Sequence, residues 1–260
     1  MRKFKYFTFT AVIISLAFFA YGQDQDYNIT DANGLRQGPW RGYFGNGSIR
    51  YEGQFENDKP TGVFRYFYPE GQLRAELIHQ DDEPAVKATY YHRNRQILGE
   101  GFFVDQKKEG LWRFFSERGV LILENFYQNG ENHGVWKSFF DSGRQAEKIT
   151  WHRGKQHGLF KRYFENGNIH IRAHYENDML NGKYEVFYVS GNPRATGHYK
   201  DNLGDGTWFY YSDSGELQKK VHYINGTIVK EEVFIETDDE AIPLRPGPSL
   251  RDDPFGPGGF

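Results

Sequence analysis

Apolar and polar residues alternate along most of this chain, and the alternation itself repeats. From Gly38 the sequence divides every 24 residues without an insertion, at Gly38, Gly62, Val86, Gly110, Gly134, Gly158, Gly182 and Gly206. The third position of these eight blocks reads Trp40, Phe64, Ala88, Trp112, Trp136, Phe160, Tyr184 and Trp208. The sixth is aromatic throughout: Tyr43, Phe67, Tyr91, Phe115, Phe139, Tyr163, Phe187 and Tyr211. The tenth is glycine except for Arg95, and the eighteenth is aromatic except for His79. A fixed period of this length marks a repeat architecture in which each unit needs its neighbours to complete a core. The block from Val86 to Glu109 is the degenerate one.

Each block predicts a β-hairpin. Positions 2–8 form a first strand, as in PWRGYFG, and positions 11–19 a second. Positions 9 and 10 form the turn, as in Asn46-Gly47 and Asn166-Gly167, a pair suited to a two-residue type I′ turn. Positions 20–24 form the connection to the next hairpin. No segment shows a helical period or cap. A two-residue turn sets a register in which paired positions sum to 19, so that position 3 faces 16 and position 4 faces 15. One face then carries positions 3, 5, 7, 12, 14, 16 and 18, and the other carries 4, 6, 11, 13, 15 and 17. Small residues opposite large ones agree with this register: Gly53 faces Trp40, Ala173 faces Phe160 and Gly197 faces Tyr184. Ile149 opposite Trp136 and Val221 opposite Trp208 fit less well. The fold class expected is all-β, an elongated antiparallel sheet of eight stacked hairpins, advancing about 10 Å per hairpin.

The flanks complete a domain plan. Arg2, Lys3 and Lys5, the apolar run Phe9–Ala20 and the small residues of Ala20-Tyr21-Gly22 predict an export signal over residues 1–22, cleaved before Gln23. The run is too short for a spanning helix, which needs roughly 20 residues. Residues 23–37 form a leading half-repeat, 38–229 the eight repeats, and 230–241 a closing strand. Residues 242–260, rich in Pro, Gly and charge, are expected to be disordered.

The columns resemble a known family. Gly-x-Trp/Phe, further aromatics, an Asn-Gly-like turn and a strand ending near Tyr-x-Asn-Gly look like the MORN-variant repeats of bacterial antitoxin components. Tyr51-Glu52-Gly53-Gln54-Phe55 is also similar to the Tyr-x-Gly-x-Phe core of ordinary MORN repeats. The resemblance covers Gly38–Val229 and implies an elongated sheet used for binding, with an antitoxin-like role toward a partner toxin as one form of it.

Candidate chemistry is sparse. The chain has no cysteine, so disulfides, thiolate metal sites and a Cys nucleophile are excluded. Lys and Arg number 32 against 35 Asp and Glu, which gives no basic surplus for nucleic acid. His174, His198 and His222 share position 17, but a partner strand separates each from the next, leaving them about 10 Å apart. That is too far for zinc, whose bonds to nitrogen are about 2.1 Å. His152 and His157 flank a turn and can approach each other. Asp26, Asn28 and Thr30 open like a calcium loop, but Asp31 and Gln37 stand where Gly and Glu are required. The Gly-x-Gly pairs complete no phosphate fingerprint, and no nucleophile elbow exists. We therefore expect no enzyme activity, no cofactor and no metal.

Charge and aromatics define two candidate binding surfaces. Positions 4 and 15 pair oppositely in early repeats, as Arg41–Glu52, Arg65–Glu76 and Arg113–Glu124. In the next two repeats the pairs become like-charged: Lys137 faces Lys148, and Lys161 faces Arg172, with His170 and His174 placed on the same face. Opposed like charges are unfavourable, and an anionic partner would relieve them. The aromatic face either curls until neighbouring rings cover one another or leaves rings free to stack, for instance on sugars. The reading is an exported, periplasmic or extracellular scaffold that binds a protein or envelope component. A carbohydrate-binding module using the aromatic columns is the alternative. No nucleic acid and no transmembrane segment in the mature chain are expected.

Overall fold

The computed structural model describes residues 26–80 and 84–236, so the proposed signal segment and the Pro/Gly-rich tail lie outside the described residues. Every regular element described is a strand. The first are β1 (Ile29–Thr30), β2 (Arg36–Tyr43), β3 (Ile49–Glu56), β4 (Lys59–Phe67), β5 (Leu73–His79), β6 (Ala85–Tyr91) and β7 (Ile97–Val104). The middle of the array holds β8 (Lys107–Phe115), β9 (Leu121–Gln128), β10 (Glu131–Asn132), β11 (Gly134–Phe139), β12 (Gln145–His152), β13 (Lys155–Gln156) and β14 (Gly158–Tyr163). It closes with β15 (Ile169–Glu176), β16 (Met179–Leu180), β17 (Gly182–Phe187), β18 (Pro193–Lys200), β19 (Leu203–Tyr211), β20 (Leu217–Ile224) and β21 (Thr227–Val233). Together they make one long, open, antiparallel sheet of 21 strands. The two-residue strands β10, β13 and β16 pair with the same neighbours as the longer strands that follow them.

The central register is the expected one. Trp40 pairs with Gly53 and Arg41 with Glu52, and Phe160 pairs with Ala173 and Lys161 with Arg172. The turn that produces it is not the expected one. Gly47 N–H donates to the Phe44 carbonyl at 2.9 Å and Phe44 N–H to the Ser48 carbonyl at 2.8 Å, which closes a loop of three residues. Of Asn46 and Gly47 only Gly47 has positive φ, at 84°. This is a type I turn closed by a left-handed residue, the usual three-residue hairpin loop. The extra loop residue is offset by a bulge at position 13: Gly42 pairs with Tyr51, but Tyr43 with Ile49. The two departures cancel, so positions 3 and 4 still meet 16 and 15. The bulge has a second effect, because it exchanges the faces of positions 12 and 13.

Type I′ turns do occur, between hairpins. Asn57 and Asp58 both have positive φ (49° and 66°), and Glu56 pairs directly with Lys59. The connection is therefore positions 20–21 alone, and positions 22–24 already belong to the next strand. That strand is interrupted at position 1. Between the pairs Gln54↔Thr61 and Glu52↔Arg65 it carries two residues more than its partner. Gly62 sits in this interruption at φ 63°, a conformation costly to any residue with a Cβ. In the degenerate block Val86 replaces the glycine, and the β5–β6 ladder runs unbroken from Ala75↔Tyr90 to His79↔Val86.

The core lies on one face of the sheet. Positions 3, 5, 14, 16 and 18 are buried along the array, with Trp112 and Trp208 fully so. The rings cover each other: Tyr199 meets Trp208 edge-on at 5.2 Å, and Phe103 meets Trp112 at 4.9 Å. The small residue at position 16 is explained by the following repeat rather than its own hairpin. A Cβ on Gly53 would lie 2.5 Å from the Phe64 ring, and one on Gly197 2.2 Å from Trp208. The degenerate block inverts the sizes, setting Leu77 against Ala88. Nested ring against glycine is thus the contact that joins repeat to repeat.

Candidate interaction surface

The outward face of the sheet carries positions 4 and 15 as a continuous ladder of charges across successive strands. From β2 to β9 it alternates in sign almost throughout, with Arg41–Glu52, Arg65–Glu76 and Arg113–Glu124 each within 3.3 Å. Four cations then follow in register: Lys137↔Lys148, Lys148↔Lys161 and Lys161↔Arg172. Neighbouring hairpins neutralise the two ends of this run. Lys137 Nζ lies 3.1 Å from Glu124 across β9–β11, and Arg172 Nη1 lies 3.0 Å from Glu185 across β15–β17. Pairing within one hairpin could not reveal these contacts. Lys148 and Lys161 remain, opposed across β12–β14, with no ion-pair partner among the described residues.

The residue next to each lysine points into the core. Glu147 and Arg162 face each other on the buried side of the same two strands, with Arg162 Nε 2.6 Å from Glu147 Oε1. Glu147 is 1% exposed and Arg162 13%. In other repeats these two columns hold apolar residues such as Leu123, Ile171, Phe114 and Val186. Ser138, paired with Glu147 and fully buried, and Asn125, also buried, extend the polar patch. A slip of one strand past the other would break this buried pair, and breaking such a pair costs ~3–5 kcal/mol. The pair therefore fixes the register in which Lys148 must face Lys161. Sequence inspection passed over it, although Ser138, Glu147 and Arg162 are visible as polar residues in core columns.

The remaining sequence candidates are distributed as follows. His174 stays on the ladder face, its Nδ1 3.1 Å from the Asn181 carbonyl. His170 occupies the bulge position and so turns to the core side, stacked 4.3 Å from the Phe164 ring. Burial lowers its pKa below the usual histidine value, helped by the positive charges of Arg162 and Arg194. His152 and His157 do approach, with ring centres 6.2 Å apart, and His133 joins them at 5.4 Å from His152. Among the described residues no group of three or more His, Asp or Glu is arranged to hold a metal ion. The position-3 rings from Phe64 to Trp208 that were candidates for stacking are buried. Those of position 6 share the ladder face and keep some exposure, most of all Tyr43 at 54%. Among the described residues, no helix is long and apolar enough to cross a membrane.

The 24-residue spacing of this surface matches a catalogued repeat. The MORN repeat variant matches residues 36–57, 60–81, 108–129, 156–177, 180–201 and 204–225, six segments that make up half of the chain. The chain belongs to the MORN repeat variant family. The two periods of this MORN-variant array left unmatched are those of the degenerate block and of the block containing Ser138 and Glu147. No curated protein matches the chain. Among solved structures, a mutant of S. aureus TarM in complex with Fondaparinux, alpha-GlcNAc-glycerol and UDP matches 37% of the chain at 14% identity, with a TM-score of 0.28. A second TarM structure matches 48% at 16% identity, with a TM-score of 0.23. The chain spans about a fifth of the length of these proteins, 19% and 20%.

Proposed function

We propose that this MORN-variant array is an exported, non-enzymatic scaffold that binds an acidic protein or envelope component on its ladder face, with Lys148 and Lys161 at the centre of the contact. The observation that carries this reading is the opposed lysine pair, left without carboxylates and held in register by the buried Glu147–Arg162 bridge. The preceding repeat has Glu124 where Lys148 stands and the following repeat has Glu185 where Lys161 stands, so the opposed cation pair is a local departure that an anionic ligand would relieve. Export is supported by the basic and apolar segments of residues 1–22.

The test is Lys148→Glu. It converts Lys137–Lys148 and Lys148–Lys161 into opposite-charge pairs, each worth ~0.2–1 kcal/mol. The fold should be unharmed or slightly stabilised. Retention on immobilised poly-glutamate, and capture of partners from the producing cell's envelope fraction, should be lost. For the unmodified chain both should weaken with salt, because surface charges are screened beyond ~8–10 Å at moderate ionic strength. Binding unchanged in the folded variant removes the lysine pair from the function, and full-length chain found only in the cytosol removes export.

A further inference from the structure

The two ends of the sheet are finished differently. At the N-terminal end, residues 26–30 lie along β2: Asn28 N–H donates to the Pro39 carbonyl, and Arg41 N–H donates to Asn28 Oδ1. The Arg41 guanidinium covers the Tyr27 ring at 4.0 Å, and Arg36 covers Phe55 at 3.8 Å. At the C-terminal end, β21 is hydrogen-bonded to β20 along one edge, and among the described residues nothing pairs with the other. Ile224, Ile228, Val229, Val233, Phe234 and Ile235 are each 41–53% exposed there. They are six of the sixteen exposed large apolar residues among the described residues, gathered within twelve positions. An uncovered edge strand with apolar side chains is a template for strand addition.

We propose that β21 is a self-association edge: two copies of this chain join their β21 strands antiparallel and continue the sheet through a two-fold axis. Three observations select a second copy as the occupant. The first is charge complementarity. With Glu231 of both copies on the axis, Lys230 of each copy faces Glu232 of the other. Glu232 already faces Lys220 and Lys230 already faces His222 within the chain. The row across the junction then reads Lys220, Glu232 and Lys230, alternating in sign, before it ends on His222; Lys230 Nζ also lies 2.5 Å from Glu232 Oε1 within each copy, so the junction extends an existing pair into a four-membered charge cluster. Each Glu231 carries its own counter-ion, Lys219 at 3.4 Å, so the axial carboxylates are not bare.

The second observation is apolar matching, since the same pairing brings Val229 of one copy alongside Val233 of the other, both exposed in the single chain. The third is the sequence that follows. Pro243, Pro246 and Pro248 have no N–H to donate, so this segment is a poor ladder partner for β21. Because the N-terminal edge is covered, the contact is isologous and closes at two copies rather than growing into a fibre.

Light scattering on the full chain tests this. The chain mass is 30.4 kDa, and the measured mass should be twice that at micromolar concentration. Lys230→Glu and Glu232→Lys should each halve it, since each places like charges across the junction. The double exchange Lys230→Glu with Glu232→Lys restores the pairing and should restore the dimer. The register has its own readout, because the chain lacks cysteine. Glu231→Cys sits on the axis and should cross-link to itself on oxidation, whereas Val233→Cys should not, being displaced from its own copy by four residues along the ladder. A monomer at every concentration overturns the proposal, as does a dimer indifferent to both single charge changes. A monomer that dimerises only after removal of residues 237–260 also overturns it, by assigning the edge to the tail. Efficient cross-linking at 233 but not 231 overturns the pairing.

Discussion

Replacing Glu147 by Leu should be the most damaging single change in the centre of the array. The variant removes the carboxylate 2.6 Å from the Arg162 guanidinium, a cation only 13% exposed. Arginine does not shed its proton in a protein, so a buried charge loses its carboxylate counter-ion and must be held by weaker polar contacts or pulled into water. Loss of one partner from a buried pair costs ~3–5 kcal/mol, a large share of the ~5–15 kcal/mol that keeps a typical domain folded. Adding Arg162→Val should recover most of that loss. Leu and Val are residues that other repeats already accommodate at these positions, as Leu123 and Val186 show, and apolar replacement of a buried pair is commonly neutral or better. The assay is urea denaturation followed by tryptophan fluorescence, with amide exchange on β12 and β14 to report the local effect, since a repeat array need not unfold as one unit. A single variant that costs under ~1 kcal/mol would refute the account. So would a double variant no more stable than the single, because the damage would then not come from a stranded charge.

Two further outcomes follow from the packing and the bulge. Gly197→Ala sets a Cβ 2.2 Å from the fully buried Trp208 ring and should cost at least ~1–3 kcal/mol; in a Trp208→Ala background the same change should be nearly neutral, and additive losses in the denaturation midpoints would refute the nesting of ring on glycine. Burial, with Arg162 and Arg194, holds the His170 pKa below its unfolded value, so the unfolded chain takes up the proton first as pH falls. Stability from this group is complete above the unfolded value near 6.5 and is lost as pH drops from there toward the folded value; thermal melts between pH 7.5 and 5 should show a smaller decline in His170→Asn, and an equal decline would refute the assignment.

The chain's order of elements was open to sequence reading because each is set by local chemistry. Alternation with period two specifies strands, and an invariant block length specifies hairpins that repeat. The faces followed for positions 3, 4, 5 and 14–18 because a buried face tolerates no one-residue slip. The turn was misread for an equally local reason. Asn-Gly suits both the two-residue turn and the last two residues of a three-residue loop, and the residues that choose between them, the bulge at position 13 and its partner strand, lie apart in sequence. His170 changed faces with that bulge.

What lies between hairpins was decided only by the tertiary structure. Block-internal pairing shows Lys137 opposite Lys148, yet the nearest counter-ion of Lys137 is Glu124 in the preceding hairpin, and that of Arg172 is Glu185 in the next. The glycines at position 16 are small for the ring of the following repeat, a contact that no hairpin taken alone contains. The Glu147–Arg162 pair likewise joins two repeats. Sequence periodicity fixes what one unit is, because its hydrogen bonds and turns are short-range. How units meet depends on the bulge and the left-handed glycine that bend each strand, and these set which side chains of adjacent units share a space.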